Sequence, residues 1–252
     1  MTLTIGHDSE FGLEMEGAPV SALNHLERED YPEGSLFPDN LNAEIAITPV
    51  ETLKDFHSKT ESLLNRVRDK GFGLIMEPVI VYAADQLFHP EAFVSGCNPD
   101  FNAYTQLQNE SPDFTRQGTQ HGLRSCGAHI HAGQVGLDPW SFSKWMDLLV
   151  AIPLLALEKL SIRRSMYGEA GCLRVKDYGV EYRTLSNVWL DDKGLREFVW
   201  EGTHKAVEHA AMSDFYSIEK WHEIPQAIDD HNLELAEDII DRCYIWGIAD
   251  VV

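Results

Sequence analysis

The sequence predicts an α+β fold, because segments with the alternating pattern of strands and segments with helical periodicity follow one another along the chain. Of the 252 residues, 44% are hydrophobic, which is enough to bury a large core. No linker rich in proline, glycine or serine interrupts the chain. We therefore expect residues 1–252 to form a single domain.

Four predicted strands share one design, in which polar residues stand two positions apart. Side chains two apart on a strand project from the same face, so each strand directs a pair of ligand-type groups to one side. The pairs are Asp8 and Glu10 in residues 2–15, Asn42 and Glu44 in residues 40–48, His129 and His131 in residues 124–134, and Glu181 and Arg183 in residues 179–185.

Helices are predicted from apolar residues at helical spacing. Residues 48–51 (TPVE) have the composition of a capping box with proline at the first helical position, and Gly71 ends the helix that follows. Asp138 and Pro139 begin another helix, which we expect to end near Ser161. Further helices are expected over residues 191–212, 224–231 and 233–244.

The segments between these elements divide into one strand and several polar stretches. Residues 72–84 have the β-branched content of a core strand bent at Pro78. Residues 21–31 are polar without a definite pattern, and residues 32–39 are predicted to be a loop from their prolines and glycine. A polar stretch as long as residues 96–122 is more often functional than idle, so we expect it to serve the site.

The chain is strongly acidic, with 20 Lys and Arg against 41 Asp and Glu and a formal charge of −21. This charge argues against a general nucleic-acid binder and against attraction to anionic membranes, and it suits the capture of metal cations. No run approaches the roughly 20 apolar residues that span a bilayer, and the first residues lack a signal-like region. We expect a soluble protein of the cytoplasm.

Four cysteines, Cys97, Cys126, Cys172 and Cys243, are scattered along the chain. Without a Cys-x-x-Cys pair they form neither a zinc knuckle nor a redox motif. We expect reduced thiols in a reducing compartment. A nucleophilic cysteine remains a candidate, since Cys126 lies near His129 and Cys172 lies near a basic stretch.

The Glu181-Tyr182-Arg183 triplet directs a carboxylate and a guanidinium to one face, about 6.6 Å apart along the strand. Charged side chains are rarely buried without partners, so simple core packing would not place them there. The alternative is a salt bridge on a solvated face.

A basic stretch precedes that strand in an otherwise acidic chain. It contains six of the twenty basic residues, namely Lys159, Arg163, Arg164, Arg174, Lys176 and Arg183. A basic stretch that feeds an acidic sheet predicts an anion held beside a cation, and phosphate oxygens that bridge Mg²⁺ and arginine are the commonest such case. The alternative is a solvated face.

The His129 and His131 pair admits two classes of metal. Alone it is typical of zinc or non-haem iron sites. Together with four carboxylates, Asp8, Glu10, Glu44 and Glu181, it makes an oxygen-rich set that favours Mg²⁺ or Mn²⁺.

Taken together, the four polar segments resemble a known family. The motifs Asp8-x-Glu10, Asn42-x-Glu44, GAHIHAG over residues 127–133 and YGVEYRTLSN over residues 178–187 are similar to those of carboxylate-amine ligases related to glutamine synthetase and glutamate-cysteine ligase. The phage-encoded branch, often called amidoligases, is the most similar. The resemblance extends over residues 6–189, although only the four segments are specific.

This resemblance implies a glutamine synthetase-like domain with a curved antiparallel sheet of about six strands, helices on the outer face and the active site on the concave face. It implies that ATP phosphorylates a carboxylate and that an amine attacks the acyl phosphate to give an amide. The absence of a Walker or kinase glycine loop agrees with a sheet-face metal site as the route to the triphosphate. The substrates would be a small-molecule or peptide acid and an amine, in the host cytoplasm if the protein is phage-encoded.

The resemblance also assigns residue roles. Catalysis would use Arg183, Glu181 and Arg174. The nucleotide would contact His129, His131, Arg163, Arg164 and Arg183. Mg²⁺ or Mn²⁺ would be held by Asp8, Glu10, Glu44, His129 and Glu181. The first strand departs from the Glu-x-Glu pattern of the family, and the shorter reach of Asp8 bears on whether it ligates metal directly.

Two other functions stay open from the sequence. A metal-dependent hydrolase could use the same carboxylates and histidines to activate water, and ATP dependence would distinguish it. An inactive ligase-like protein could serve as a binding or assembly factor, although the complete carboxylate set argues against this.

Overall fold

The computed structural model describes residues 2–93, 100–109, 122–158, 162–212 and 215–245. Its strands are β1 Thr4–Met15, β2 Ala18–Val20, β3 Glu29–Tyr31, β4 Gly34–Asp39, β5 Asn42–Ile47, β6 Gly73–Ile75, β7 Val79–Val81, β8 Phe101–Asn102, β9 Leu123–Ser125, β10 Ala128–Gly133, β11 Cys172–Lys176 and β12 Gly179–Tyr182. Its helices are α1 Leu53–Asp69, α2 Pro139–Met146, α3 Ile152–Leu155, α4 Arg163–Met166, α5 Lys193–Met212, α6 Glu223–Asp229 and α7 Leu233–Ile245. Among these residues, no helix combines the length and apolar character needed to cross a bilayer.

A large antiparallel sheet forms the centre of the molecule. Eight strands follow the order β3-β4-β5-β1-β10-β12-β11-β8, and β2 and β6 also pair with β1, which makes ten strands. The prediction of about six strands was therefore too low. Among the additional strands, β3, β4 and β8 lie in segments that were predicted to be polar stretches or a loop, where two to six residues are too few to show a clear alternation.

The register of the sheet sets which residues share a face. Residue pairs that lie directly opposite each other on neighbouring strands project to the same side. Asp8 pairs with His129, His131 pairs with Glu181, and Glu10 pairs with Glu44. The predicted polar pairs of four strands therefore occupy a single face of one sheet.

The opposite face of the same strands supplies the hydrophobic core. Ile45, Ile130, Val180 and Leu173 alternate with the polar residues and are buried in the main apolar cluster. Helices α1 and α2 contact the strands of this sheet. Because strand side chains alternate, one set of strands can hold a core on one side and a polar site on the other.

At the hairpin between β11 and β12, the main chain of Gly179 lies unusually close to that of Ala132 on β10. Gly179 begins β12 with a φ of 152°, and a Cβ added there would lie 2.1 Å from the carbonyl oxygen of Ala132. Glycine has no Cβ and tolerates this conformation, so it permits the approach.

The first helix begins later than predicted. Thr52 caps α1 by accepting a hydrogen bond from the amide of Asp55 at 3.1 Å. Residues 48–51 do not act as a capping box, because Val50 instead pairs with Ile5 through two main-chain hydrogen bonds of 2.8 and 2.9 Å.

The start of the second predicted helix is confirmed. Asp138 accepts hydrogen bonds from the amides of Trp140 and Ser141, and Pro139 occupies the first turn of α2. A π-helical turn over Asp147–Ala151 joins α2 to α3, which ends at Leu155. The prediction that the helix runs to about Ser161 was therefore too long, because residues 156–158 are not helical; residues 159–161 lie outside the described residues.

The other predictions of secondary structure have mixed outcomes. Helices α5, α6 and α7 confirm the three helices expected after residue 190. The single strand expected over residues 72–84 is instead divided, since β6 pairs with β1 and β7 pairs with β9 in a separate sheet. Of the polar stretch 96–122, the structure describes residues 100–109 and residue 122, and β8 lies within the first of these.

A buried carboxylate links the helical layer to β12. Asp147, in the π-helical turn, accepts hydrogen bonds from the hydroxyl of Tyr182 at 2.5 Å and from that of Tyr104 at 2.9 Å. Burial raises the pKa of Asp147 from its ordinary value of 3.8 to about 7. The folded state therefore holds the proton of Asp147 more tightly than the unfolded chain does.

This shift predicts the effect of Asp147→Asn on stability. Between about pH 4 and pH 7 the parent loses stability with rising pH, because the unfolded chain releases the Asp147 proton while the folded state keeps it. The asparagine variant has no such proton. We expect the free energy of unfolding of the variant, relative to the parent, to rise from pH 5 to pH 8 in urea titrations. Asp138→Asn, which alters an exposed cap, is the control and should give a flat difference. A flat difference for Asp147→Asn would contradict the shift.

Candidate active site

Asp8 lies at the centre of the polar face, between the two histidines. Its Oδ1 is 2.9 Å from Nδ1 of His129, and its Oδ2 is 3.0 Å from Nε2 of His131. Burial opposes ionisation of Asp8, but the interactions with the two histidines outweigh it and hold its pKa well below the ordinary value. Burial, followed by the nearby Arg183, lowers the pKa of His129 to about 3. A neutral His129 thus faces an ionised Asp8.

The second centre is Glu181, which is held by three cationic side chains. Its Oε1 contacts Nη1 of Arg183 and lies 3.3 Å from Nη1 of Arg174, and its Oε2 lies 2.6 Å from Nζ of Lys176. Glu181 is 1% exposed and Arg183 is 4% exposed. This burial excludes the alternative of a salt bridge on a solvated face.

Three further carboxylates form an acidic cluster, Glu10, Asp39 and Glu44. Oxygen atoms of the three side chains lie within 4.8 Å of one another. Burial, followed by the charge of Asp39, raises the pKa of Glu10 to about 8. Burial and neighbouring carboxylates also raise the pKa of Glu44 well above its ordinary value and raise that of Asp39. Clustered carboxylates of this kind favour either a proton or a bound cation.

Glu10 is oriented by neighbouring polar groups. Its Oε2 accepts hydrogen bonds from the amide of Gly127 at 3.3 Å and from Nδ2 of Asn42 at 3.4 Å. Asn42 is itself fixed, because it donates to the carbonyl of Ser125 at 2.9 Å and accepts from the hydroxyl of Tyr82 at 3.0 Å. Asn42, predicted only to share a face with Glu44, thus positions a carboxylate of the acidic cluster.

Two groups of residues could hold a divalent metal among those described. They are the acidic cluster and the set Asp8, His131 and Glu181, whose ligand atoms also lie within 4.8 Å of one another. Both groups offer mostly carboxylate oxygen, which fits Mg²⁺ or Mn²⁺. The raised pKa values of the acidic cluster also fit, since a cation would remove the repulsion between its members. Of the two histidines, His131 belongs to one of these possible metal-binding groups and His129 belongs to neither.

The two arginines expected to bind phosphate have a different position. Arg163 is fully buried and donates to the carbonyls of Cys126, Thr184 and Leu185 at 3.2, 2.9 and 2.8 Å. Arg164 donates to main-chain carbonyls and forms a buried ion pair with Glu158 at 2.8 Å. Their guanidinium groups thus hold the backbone beside the site, and the nucleotide-binding role expected from the resemblance stays a prediction. Lys159, from the same basic stretch, lies outside the described residues.

Two members of the site were not assigned from the sequence. Asp39 falls in a segment expected to be a loop, but it ends β4 opposite Asn42. Lys176 belongs to the basic stretch, and only its strand position on β11 directs it to Glu181. The alternation of β11 carries Arg174 and Lys176 to one side, a signal that a strand assignment would have revealed.

A nucleophilic cysteine is not supported by the structure. Burial raises the pKa of the Cys126 and Cys172 thiols well above the ordinary value. A thiolate is the reactive form of cysteine, so both thiols are poor nucleophiles. Cys97 lies outside the described residues.

The acidic cluster predicts an unusual effect of Glu10→Gln. The pKa of Glu10 is about 8 in the folded state and 4.5 ordinarily, so its ionisation costs stability as pH rises through this interval. We expect Glu10→Gln to be close to the parent in stability at pH 5 and more stable than the parent at pH 8 without added metal. Denaturant unfolding at both pH values measures this.

The matched control is Glu14→Gln, an exposed position on the same strand. Its difference from the parent should be the same at pH 5 and pH 8. Equal destabilisation of Glu10→Gln at both pH values would contradict the raised pKa of Glu10.

Comparison with known proteins places this geometry in context. Residues 102–222 match the family model described as phage phiEco32-like COOH.NH2 ligase-type 2. The matched segment carries His129, His131, Glu181 and Arg183, whereas the acidic cluster and Asp8 precede it. A search of curated proteins found no match. The family match over residues 102–222, together with the motifs that the structure brings to one face, supports the resemblance of this chain to phage-type amidoligases.

Proposed function

We propose that the chain is an ATP-dependent carboxylate-amine ligase with a glutamine synthetase-like catalytic domain. The observation that carries the proposal is the pairing, on one sheet face, of carboxylates suited to Mg²⁺ with the cationic side chains around Glu181. A metal-dependent hydrolase needs the carboxylates and histidines but not three cations beside them.

The charges of the substrates explain why both kinds of group are needed. A carboxylate and the triphosphate of ATP are anions that repel each other as they approach. Cations placed around the transferred phosphoryl group offset this repulsion and stabilise charge in the transition state. Arg183, Arg174 and Lys176 supply protein cations at one side of the site.

In the proposed reaction, a carboxylate oxygen of the acid attacks the terminal phosphorus of ATP, and the bond to ADP breaks. The amine nitrogen then attacks the carbonyl carbon of the acyl phosphate. The carbon–oxygen bond to phosphate breaks, and the nitrogen loses one proton, so the products are an amide, ADP and phosphate. The guanidinium of Arg183 would donate to the transferred phosphoryl group, because one nitrogen of its rigid fork can contact phosphate while another contacts Glu181.

Mg²⁺ or Mn²⁺, when bound, would neutralise phosphate charge. The acidic cluster and the set Asp8, His131 and Glu181 would hold it, which adds Asp39 to the ligands expected from the sequence. His129, whose Nδ1 lies 2.9 Å from Oδ1 of Asp8, would orient that carboxylate, since groups behind a metal ligand fix its direction. We propose small-molecule or peptide acids and amines as substrates, in the cytoplasm.

The reaction predicts a specific set of products. With amino acids or short peptides as acids, hydroxylamine as the amine, ATP and Mg²⁺, we expect a hydroxamate to accumulate with equal amounts of ADP and phosphate. Removal of Mg²⁺ with EDTA should abolish it. Release of AMP and pyrophosphate would indicate adenylation instead, and cleavage of amides without ATP would indicate the hydrolase.

Arg183→Lys tests the phosphoryl contact. A lysine keeps the charge, but its single nitrogen cannot donate to phosphate while a second nitrogen of the same side chain contacts Glu181. Lost transition-state contacts of about 3–4 kcal/mol correspond to roughly a 10²–10³-fold loss. We expect kcat for hydroxamate formation to fall at least about a hundredfold, while the melting temperature stays near that of the parent.

Arg196→Lys is the matched control, because Arg196 is also a buried arginine but bonds the carbonyl of Leu190 at 3.0 Å and Glu61 at 3.1 Å. It should affect stability more than turnover. If Arg183→Lys lowered stability with normal turnover per folded molecule, Arg183 would be a structural residue.

A further inference from the structure

The guanidinium of Arg183 is contacted from three directions. Its Nη1 contacts Glu181, its Nε lies 3.4 Å from Oδ2 of Asp100, and its Cζ lies 5.3 Å from the ring centroid of Tyr167. The Asp100 contact is an ion-pair contact without a hydrogen bond. Carboxylates beside two of the three nitrogens favour one orientation of the planar group.

Asp100 is itself fixed by hydrogen bonds. Its Oδ1 accepts a hydrogen bond from Nδ2 of Asn109 at 3.0 Å, and its Oδ2 accepts one from Sγ of Cys172 at 3.1 Å. The main chain of Asn109 also donates to the carbonyl of Asp100 at 2.9 Å. The carboxylate is 12% exposed, so solvent screens it weakly.

The segment that carries Asp100 is anchored at several points. Its β8 pairs with β11, and Asn102 donates to the carbonyl of Ala170 at 3.1 Å. The hydroxyl of Tyr104 donates to the buried Asp147. These contacts fix the position of the Asp100 main chain relative to β11 and β12, which carry the cations around Glu181.

One nitrogen of Arg183 remains available. Within the described part of the chain, Nη2 makes no hydrogen bond or ion pair, whereas Nη1 donates to Glu181 and Nε lies at ion-pair distance from Asp100. The free end of the fork is therefore the end that can meet a phosphoryl oxygen.

We infer that Asp100 is a positioning residue of the proposed ligase, which orients Arg183 so that Nη2 faces the transferred phosphoryl group. The inference rests on the proposed function. It gives a role to part of the polar stretch 96–122, and it concerns a residue outside both metal-binding groups. Asp100 acts through Arg183 and touches no substrate.

The expected effect separates positioning from simple structural support. Asp100→Asn keeps the shape of the side chain and removes its charge. We expect kcat for hydroxamate formation to fall about tenfold and the KM for ATP to change less than about twofold, since a misoriented fork weakens the transition state more than the ground state.

A double-mutant cycle with Arg183→Lys is the decisive measurement. If Asp100 acts through Arg183, Asp100→Asn should cost less than about twofold in kcat once Arg183 is lysine. The matched control is Asp229→Asn. Asp229 holds the amide of Ala170 at 2.7 Å in the same region, and its effect should be the same in both backgrounds. An equal loss for Asp100→Asn in both backgrounds would overturn the inference.

A second measurement does not depend on turnover. The Nε–H resonance of Arg183, identified by its absence in Arg183→Lys, should shift in Asp100→Asn and stay in place in Asp229→Asn. An unchanged resonance in Asp100→Asn would overturn the inference even in an active enzyme. Failure of the parent to form hydroxamate would count against the proposed function, and the resonance would still decide the role of Asp100.

Discussion

The pairing of β1 with β5 on one side and β10 on the other is the constraint on which the site depends. It places Asp8 beside His129 and Glu10 beside Glu44, and the strict alternation of strand side chains sends His7 and Ser9 to the opposite face. There His7 is buried, bonds Thr60 at 2.8 Å, and has a pKa lowered by burial to about 3. A slip of one residue would exchange the two faces, so the core and the site enforce the same register.

The polar face has two regions, which differ in how completely their charges are paired. Around Glu181, carboxylates and cations alternate within ion-pair distance, so charge is largely matched within the protein. Among the described residues, no cation lies within ion-pair distance of Glu10, Asp39 or Glu44, and burial raises the pKa of all three carboxyl groups above their ordinary values. Strain of this kind is tolerated in a folded protein when a ligand relieves it, which is why stability and activity often oppose each other at a site.

Local patterns in the sequence predicted much of the site, and long-range contacts explain what they missed. The alternation of strand side chains allowed a set of residues to be predicted on one face from the sequence alone. These are Asp8, Glu10, Glu44, His129, His131, Glu181 and Arg183. The same reasoning missed Asp39 and Lys176, which lie on short strands that only pairing with a neighbour defines. It also did not foresee the hydrogen bonds of Arg163 and Arg164, since composition reveals a basic stretch but not that the carbonyls of residues 126, 184 and 185 accept hydrogen bonds from it.

The close approach of Gly179 to Ala132 has a consequence for how this protein can vary. A single methyl group at position 179 would meet the Ala132 carbonyl and push β12 away from β10, which separates His131 from Glu181. The residues on β10 and β12 that form the site would then lie further apart, although none of them had been substituted. Gly179 therefore limits which substitutions this hairpin tolerates. A survey of inactivating substitutions would identify position 179, although its residue contacts no substrate and takes no part in the reaction.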